Sequence, residues 1–178
     1  MLVSVLRAAV FLAGYGGIWL SVRGQHPFHG PNEAVLIAFA LAVSFVILTP
    51  VKSLRQPSGQ ARAALAIWLS AWPATALLLG ALVHDGAGRG LIYGVLSATG
   101  PLIVISAAWA ANAATRGEWL GYGLCVGLAA AGGTGAFFGP VGVWAVTGTG
   151  CAVVFLGHAA ARGLLCRRAV RAALSDPA

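Results

Sequence analysis

Across 178 residues the chain is 59% hydrophobic and 8% charged, with a formal net charge of +7. A soluble domain carries about 25% charged residues, so this composition can cover a surface that faces lipid but not one that faces water. The 11 Lys and Arg do not point to nucleic acid, because they sit mainly between and after the hydrophobic runs, where membrane topology and anionic headgroups account for them.

A helix needs roughly 20 apolar residues to cross the hydrocarbon of a bilayer. Runs approaching that length predict an all-α bundle of six spans at about 2–22, 33–51, 63–84, 90–113, 119–138 and 141–161. The first run lacks a basic start and an A-x-A site before Arg23, so it reads as a retained span rather than a signal peptide. Arg7 is near enough to its start to snorkel. The connectors hold the punctuation: Arg23 to Asn32 with two prolines, Lys52 to Gly59, Asp85 to Gly90, Arg116-Gly117-Glu118, and a last turn at Gly139-Pro140. Every loop is short, which leaves one transmembrane domain over 1–161 and a basic tail over 162–178. In that tail Leu164, Leu165, Val170 and Leu174 alternate with Arg162, Arg167, Arg168 and Arg171. This suits either a topology anchor or an amphipathic helix on the inner membrane surface.

Lys/Arg counting sets the orientation. With the N-terminus inside, Arg7, Lys52, Arg55, Arg62, Arg116 and the four tail arginines fall inside, against Arg23 and Arg89 outside. The aromatic belt agrees, with Trp19, Tyr93 and Trp144 at the outer boundary and Trp68, Trp109, Trp119 and Tyr122 nearer the inner one. Both termini are therefore expected in the cytoplasm, in a bacterial inner membrane. The three cysteines, Cys125, Cys151 and Cys166, form neither a CxxC pair nor a regular framework, and no structural disulfide is expected.

The fifth span carries the most specific pattern. Gly123, Gly127, Ala131, Gly135 and Gly139 recur every fourth residue and form a ridge of minimal side chains. Helices in lipid gain little from hiding apolar surface from one another, so close backbone approach becomes the attraction. Similar rows occur at Ala9, Ala13, Gly17 and Ser21, and at Ala34, Ala38 and Ala42, while Gly142 and Gly150 lighten the sixth span. Such ridges serve first for packing within a bundle or a homo-oligomer, with a narrow passage or gate as the second reading. Pro73 and Pro101 interrupt the third and fourth spans, each freeing a carbonyl about a turn earlier. Transporters often place solute sites at broken helices, which makes Trp72, Pro73, Thr99 and Pro101 pathway candidates.

Chemistry is sparse. The four carboxylates, Glu33, Asp85, Glu118 and Asp176, all fall outside the bilayer interior on this assignment. That disfavours an autonomous ion-coupled pump. On the outer face His26, His29 and Glu33, with His84 and Asp85 from the third loop, offer nitrogen and oxygen ligands for a metal or a pH-sensitive mouth. Pro27, Gly30 and Pro31 break any helical presentation, so solvated loop residues explain them as well, and no metal or cofactor is assigned. His158 lies where it can reach Asn112 or Glu118. HExxH, G-x-S-x-G and CxxC are all missing.

Six short spans in under 200 residues is similar in size and topology to the membrane-embedded substrate-binding components of energy-coupling vitamin transporters. The first span with Arg23-Gly24 and its Pro/Gly-rich loop looks like the small hydrophobic subunits of multi-subunit cation/proton antiporters. These likenesses imply architecture only, and no site is carried over from either. The leading expectation is a small membrane transport protein, or the membrane component of a transporter, for a small or ionic solute. The alternative is an accessory or assembly subunit of a larger complex, and behind both stands an intramembrane enzyme acting on a lipid or quinone. The expected partners are the bilayer and other membrane subunits or a second copy, not nucleic acid.

Overall fold

A computed structural model of the chain describes residues 2–25, 29–52, 77, 84, 88 and 90–175, and all regular structure among them is helical. Helix α1 is Leu2–Val22 and α2 is Glu33–Lys52; a π-helix, Gly90–Leu96, runs directly into α3, Ser97–Arg116; α4 is Trp119–Ala136 and α5 is Gly139–Ser175. Most ends fall within three residues of the expected spans. The expected third span, 63–84, lies outside the described residues except for Leu77 and His84, both helical and exposed.

Local chemistry explains the helix ends. The Asn32 Oδ1 accepts from the Ala34 N–H at 2.9 Å, an N-cap for α2. Gly117 closes α3 at φ +63, a left-handed conformation that costs a side-chain-bearing residue energy, and its N–H returns to the Ala113 and Ala114 carbonyls. Gly139, at φ +70, turns the chain from α4 into α5, with Pro140 next in the first helical turn.

Three stretches are long and apolar enough to cross a membrane by length and composition: Leu2–Val22, Gly90–Ala111 and Gly139–Arg168. Helix α4 is not among them because glycines at 121, 123, 127, 132, 133 and 135 dilute its apolar content. At about 1.5 Å per residue, the 37 residues of α5 extend about 55 Å, nearly twice the hydrocarbon thickness. The helix does not break at Ala161, where the basic tail begins, but continues to Ser175.

The bundle is organised around α5, which packs against α1, α4 and the π-helix. Helix α1 offers it Ala8, Phe11, Tyr15, Ile18 and Val22, all buried at alternating spacings of three and four. That places them on one stripe of the helix. The facing stripe of α5 is Trp144, Gly148, Cys151 and Phe155. Ring contacts knit the two together: Phe11 meets Phe155 at 5.2 Å between centroids and Tyr15 meets Trp144 at 5.6 Å. From α2, Phe39 sets its edge against both Phe11 and Tyr15. Each such pair contributes about 0.5–1.5 kcal/mol beyond its contact area.

These contacts define two ends. Arg7 meets Trp109, and Glu118 meets Arg162, at one end. Gly30 approaches Tyr93, and Gly94 approaches Pro140, at the other. Helix α2 pairs with α1 through Val35 beside Gly17 and Phe39 beside Gly14, so it runs antiparallel to α1 and its last residue, Lys52, lies toward the Arg7 end.

Candidate functional site

The most distinctive interior feature lies where helix regularity fails. Between Gly90 and Leu96 the backbone takes a π-helical path, and Pro101 follows five residues after it. A π-turn widens the helix and misaligns its carbonyls, and Pro101 withholds the N–H that the Ser97 carbonyl would receive. Side-chain hydroxyls fill in. Ser97 donates to the Ile92 carbonyl at 2.7 Å and Thr99 to the Val95 carbonyl at 2.8 Å. From across the bundle the phenol of Tyr15 donates to the Ala98 carbonyl at 2.7 Å, and this bond is buried. Ser106 donates back to the Leu102 carbonyl at 2.7 Å one turn farther on.

Beside Tyr15, α5 places Trp144 and Cys151, with Thr147 between them in sequence and turned to α4. Trp144 is 1% exposed, and its indole N–H makes no hydrogen bond; Thr147 is fully buried with its hydroxyl likewise unpartnered. Cys151, also fully buried, lies close enough to Tyr15 to interact electrostatically. An unmet buried donor costs about 1–3 kcal/mol. The centre thus combines a hydrogen-bonded phenol and a free indole N–H, with the free Thr147 hydroxyl on the α4 side of the same stretch of α5, one to three helical turns from its Pro140 end. Such a set can donate to and orient a small polar or anionic group, but it offers no acid–base pair for catalysis.

Thr147 has a second role. The space that a Cβ on Gly135 would fill is taken by the Thr147 hydroxyl oxygen, so a Gly135 Cα–H points at that oxygen. The same ridge continues through Ala131, which sits against Gly150, and Gly127, which sits against Val154. Its two ends behave differently. Gly123 is exposed with open space before it, and Gly139 belongs to the turn rather than the packing face.

Of the pathway candidates, Thr99 is buried with its hydroxyl bonded within its own helix, and Pro101 is half-buried. Trp72 and Pro73 lie outside the described residues. At the Gly30 end His29 and Glu33 are exposed, as is His84, while His26 and Asp85 lie outside the described residues; among the described residues no three His, Cys, Asp or Glu converge as metal ligands. The first loop is tied instead by Gln25, whose amide donates to the Ser21 and Gly30 carbonyls and accepts from the His29 N–H. His158 does come within electrostatic reach of Glu118.

Trp144 departs from its expected place in an outer aromatic belt. It turns inward onto Tyr15, because Gly148, one turn along, lets the α1 backbone approach. The other two small-residue rows divide: Gly17 meets Val35 and Ser21 and Ala42 are half-buried, whereas Ala9 and Ala13 on α1 and Ala34 and Ala38 on α2 are exposed. The inter-helix face of α2 is carried by Val35, Phe39 and Val43. Tyr15 and Thr147 had no sequence signal beyond being polar groups inside apolar runs, where a hydroxyl must find a partner.

No protein-family model, curated protein or solved structure matches this chain.

Proposed function

We propose that the chain is a six-span protein of a bacterial cytoplasmic membrane with both termini inside, acting as a small transport protein or the membrane component of a transporter for a small or ionic solute. The six-span count draws support from connectivity: α2 ends toward the Arg7 end and the π-helix begins at the other, so a span at 63–84 supplies the crossing the chain needs. The N-in orientation draws support from Arg7 and Arg162 lying at the same end, beyond which α5 carries Arg167, Arg168 and Arg171.

One observation carries the transport reading. A helix that carries a π-turn and Pro101 faces, through Tyr15, a buried centre where the Trp144 indole N–H is unmet. Interrupted helices lining an interior polar site are the arrangement by which transporters hold small solutes within the bilayer. Proteoliposomes containing the intact protein, assayed against a panel of small ions and polar solutes, test it. Flux that falls when Trp144→Phe removes the indole N–H supports the reading. Flux for no solute, or flux indifferent to Trp144→Phe and Thr147→Val, sinks it.

The exposed rows Ala9/Ala13 and Ala34/Ala38 favour a second reading, an accessory subunit whose small-residue faces dock on other membrane helices. Native purification separates the two. A complex of fixed stoichiometry that Ala38→Leu dissolves supports docking, and a lone chain that is unaffected by the substitution refutes it.

A further inference from the structure

At the Arg7 end two arginines and a histidine lie together, and one of the arginines meets a carboxylate. Arg7 lays its guanidinium over the Trp109 ring of α3, 5.1 Å from the centroid. Its Nε is buried and makes no hydrogen bond. Arg162 of α5 pairs with Glu118, the residue before α4, at 3.6 Å. One turn earlier on α5, His158 lies against the Leu120 backbone, within electrostatic reach of Arg7, Arg162 and Glu118. Arg7 and Arg162 also feel each other's charge.

The charges do not balance. Among the described residues Glu118 is the carboxylate at this end, since Glu33 opens α2 at the other. Glu118 is partly exposed and already engaged by Arg162, so it offsets one of two guanidiniums that never deprotonate. A fixed cation at the edge of the hydrocarbon is costly without a counter-charge. The Trp109 face supplies part of that through cation–π attraction, but it leaves the in-plane Nε–H without an acceptor.

We propose that this cluster binds a phosphate group, held between Arg7 and Arg162. Guanidiniums arriving from two helices present their N–H forks from different directions. A tetrahedral oxyanion has acceptor oxygens for both, whereas a planar carboxylate is well matched to one fork. Helix α4 begins beside the cluster, and the Glu118 side chain makes no capping bond there, so its first turn adds a positive field. On the proposed topology the cluster sits at the depth of the phospholipid phosphates. An anionic phospholipid and free inorganic phosphate share the required chemistry. This site lies at the opposite end from the Tyr15–Trp144 centre and is independent of which solute, if any, is carried.

Native mass spectrometry of the intact protein in mild detergent, titrated with phosphatidylglycerol, tests the lipid arm. Thermal unfolding in inorganic phosphate against chloride, at matched ionic strength, tests the soluble arm. The expected result is one site-bound ligand per chain, weakened about tenfold by Arg162→Gln and unchanged by Arg167→Gln with Arg168→Gln farther along the helix. Arg162 is 54% exposed, so its replacement leaves the fold intact, and Arg7→Gln serves as the second variant. A phosphatidylglycerol adduct that depends on Arg162 identifies a lipid headgroup. Stabilisation by inorganic phosphate alone, also dependent on Arg162, identifies a soluble phosphate. Equal binding in wild type and Arg162→Gln overturns the proposal. An equal loss in the Arg167/Arg168 variant overturns it too, because that pattern is general attraction to a basic helix.

Discussion

The chain carries the same small-residue spacing on three helices, and the structure uses it in two opposite ways. On α4, Gly127, Ala131 and Gly135 lie directly against Val154, Gly150 and Thr147 of α5. On α1 and α2, Ala9, Ala13, Ala34 and Ala38 face outward. A small-xxx-small row records that a neighbour can come close, not that one does. What decides is the opposite helix. Helix α5 answers α4 with its own small or short residues, whereas α2 meets α1 with the larger side chains of Val35 and Phe39, which reach only Gly17 of that row and Gly14 beside it.

The comparison breaks most visibly at Gly135. Gly135→Leu puts a branched side chain where the Thr147 oxygen sits, between two backbones that cannot separate without losing the rest of the seam. The expected cost is about 3 kcal/mol, at the upper end for overpacking, read as the shift in the unfolding midpoint in mixed detergent micelles. Ala38→Leu, on an exposed row, should shift the isolated chain by less than about 0.5 kcal/mol. Comparable losses at the two positions would mean that the outward rows pack after all.

A similar contrast holds within α5. A Cβ on Gly148 would stand 2.5 Å from the Tyr15 Cβ, a neighbour fixed to its own backbone rather than the far end of a flexible chain. Gly148→Ala should therefore cost about 2 kcal/mol and move Tyr15 away from Trp144, which a change in tryptophan fluorescence would report. Unchanged stability and emission would show that α1 and α5 pack more loosely there.

Removing one oxygen has a smaller effect. Tyr15→Phe keeps the ring among Phe11, Phe39 and Trp144 and deletes only the bond to the Ala98 carbonyl. That carbonyl belongs to a helix, so the loss should be near 1 kcal/mol. Amide hydrogen exchange should rise locally across 90–102, the stretch whose regularity the π-turn and Pro101 interrupt. Uniform exchange would mean that the phenol does not brace the break.

The helices themselves were legible because their cause is one-dimensional. Apolar run length and the breakers Gly117 and Gly139-Pro140 place the described helix boundaries to within three residues, apart from the C-terminal end of α5. That end ran past Ala161 because charge signals where a helix leaves lipid, not where it stops, and Gly163 and the arginines do not terminate it. The packing face of α4 was legible at 127, 131 and 135 but not at 123 or 139, since periodicity has no information about where the partner helix begins. The buried centre was half visible. Pro101 pointed to this helix, but the chain stays α-helical through it, and the π-turn before it, the Tyr15 phenol bonded to Ala98 and the inward turn of Trp144 depend on residues more than 40 positions apart in sequence. An indole at a predicted interface looks identical in sequence whether it faces headgroups or a tyrosine.

The smallest effect gives the finest version of the comparison, because its sign reverses. Gly157 lies on α5 nine residues beyond Gly148, and a Cβ built there meets nothing within 4 Å. Where no neighbour objects, replacing glycine by alanine in a helix interior restricts the unfolded chain without straining the folded one, a gain of about 0.4–1 kcal/mol. Gly157→Ala should thus stabilise the isolated protein slightly in the same micelle assay in which Gly148→Ala weakens it. If Gly157→Ala is neutral in the purified chain yet dissociates a native complex, then glycine was kept there for a partner's close approach. The outward small residues would then be a docking face, and the accessory-subunit reading would displace the transport one.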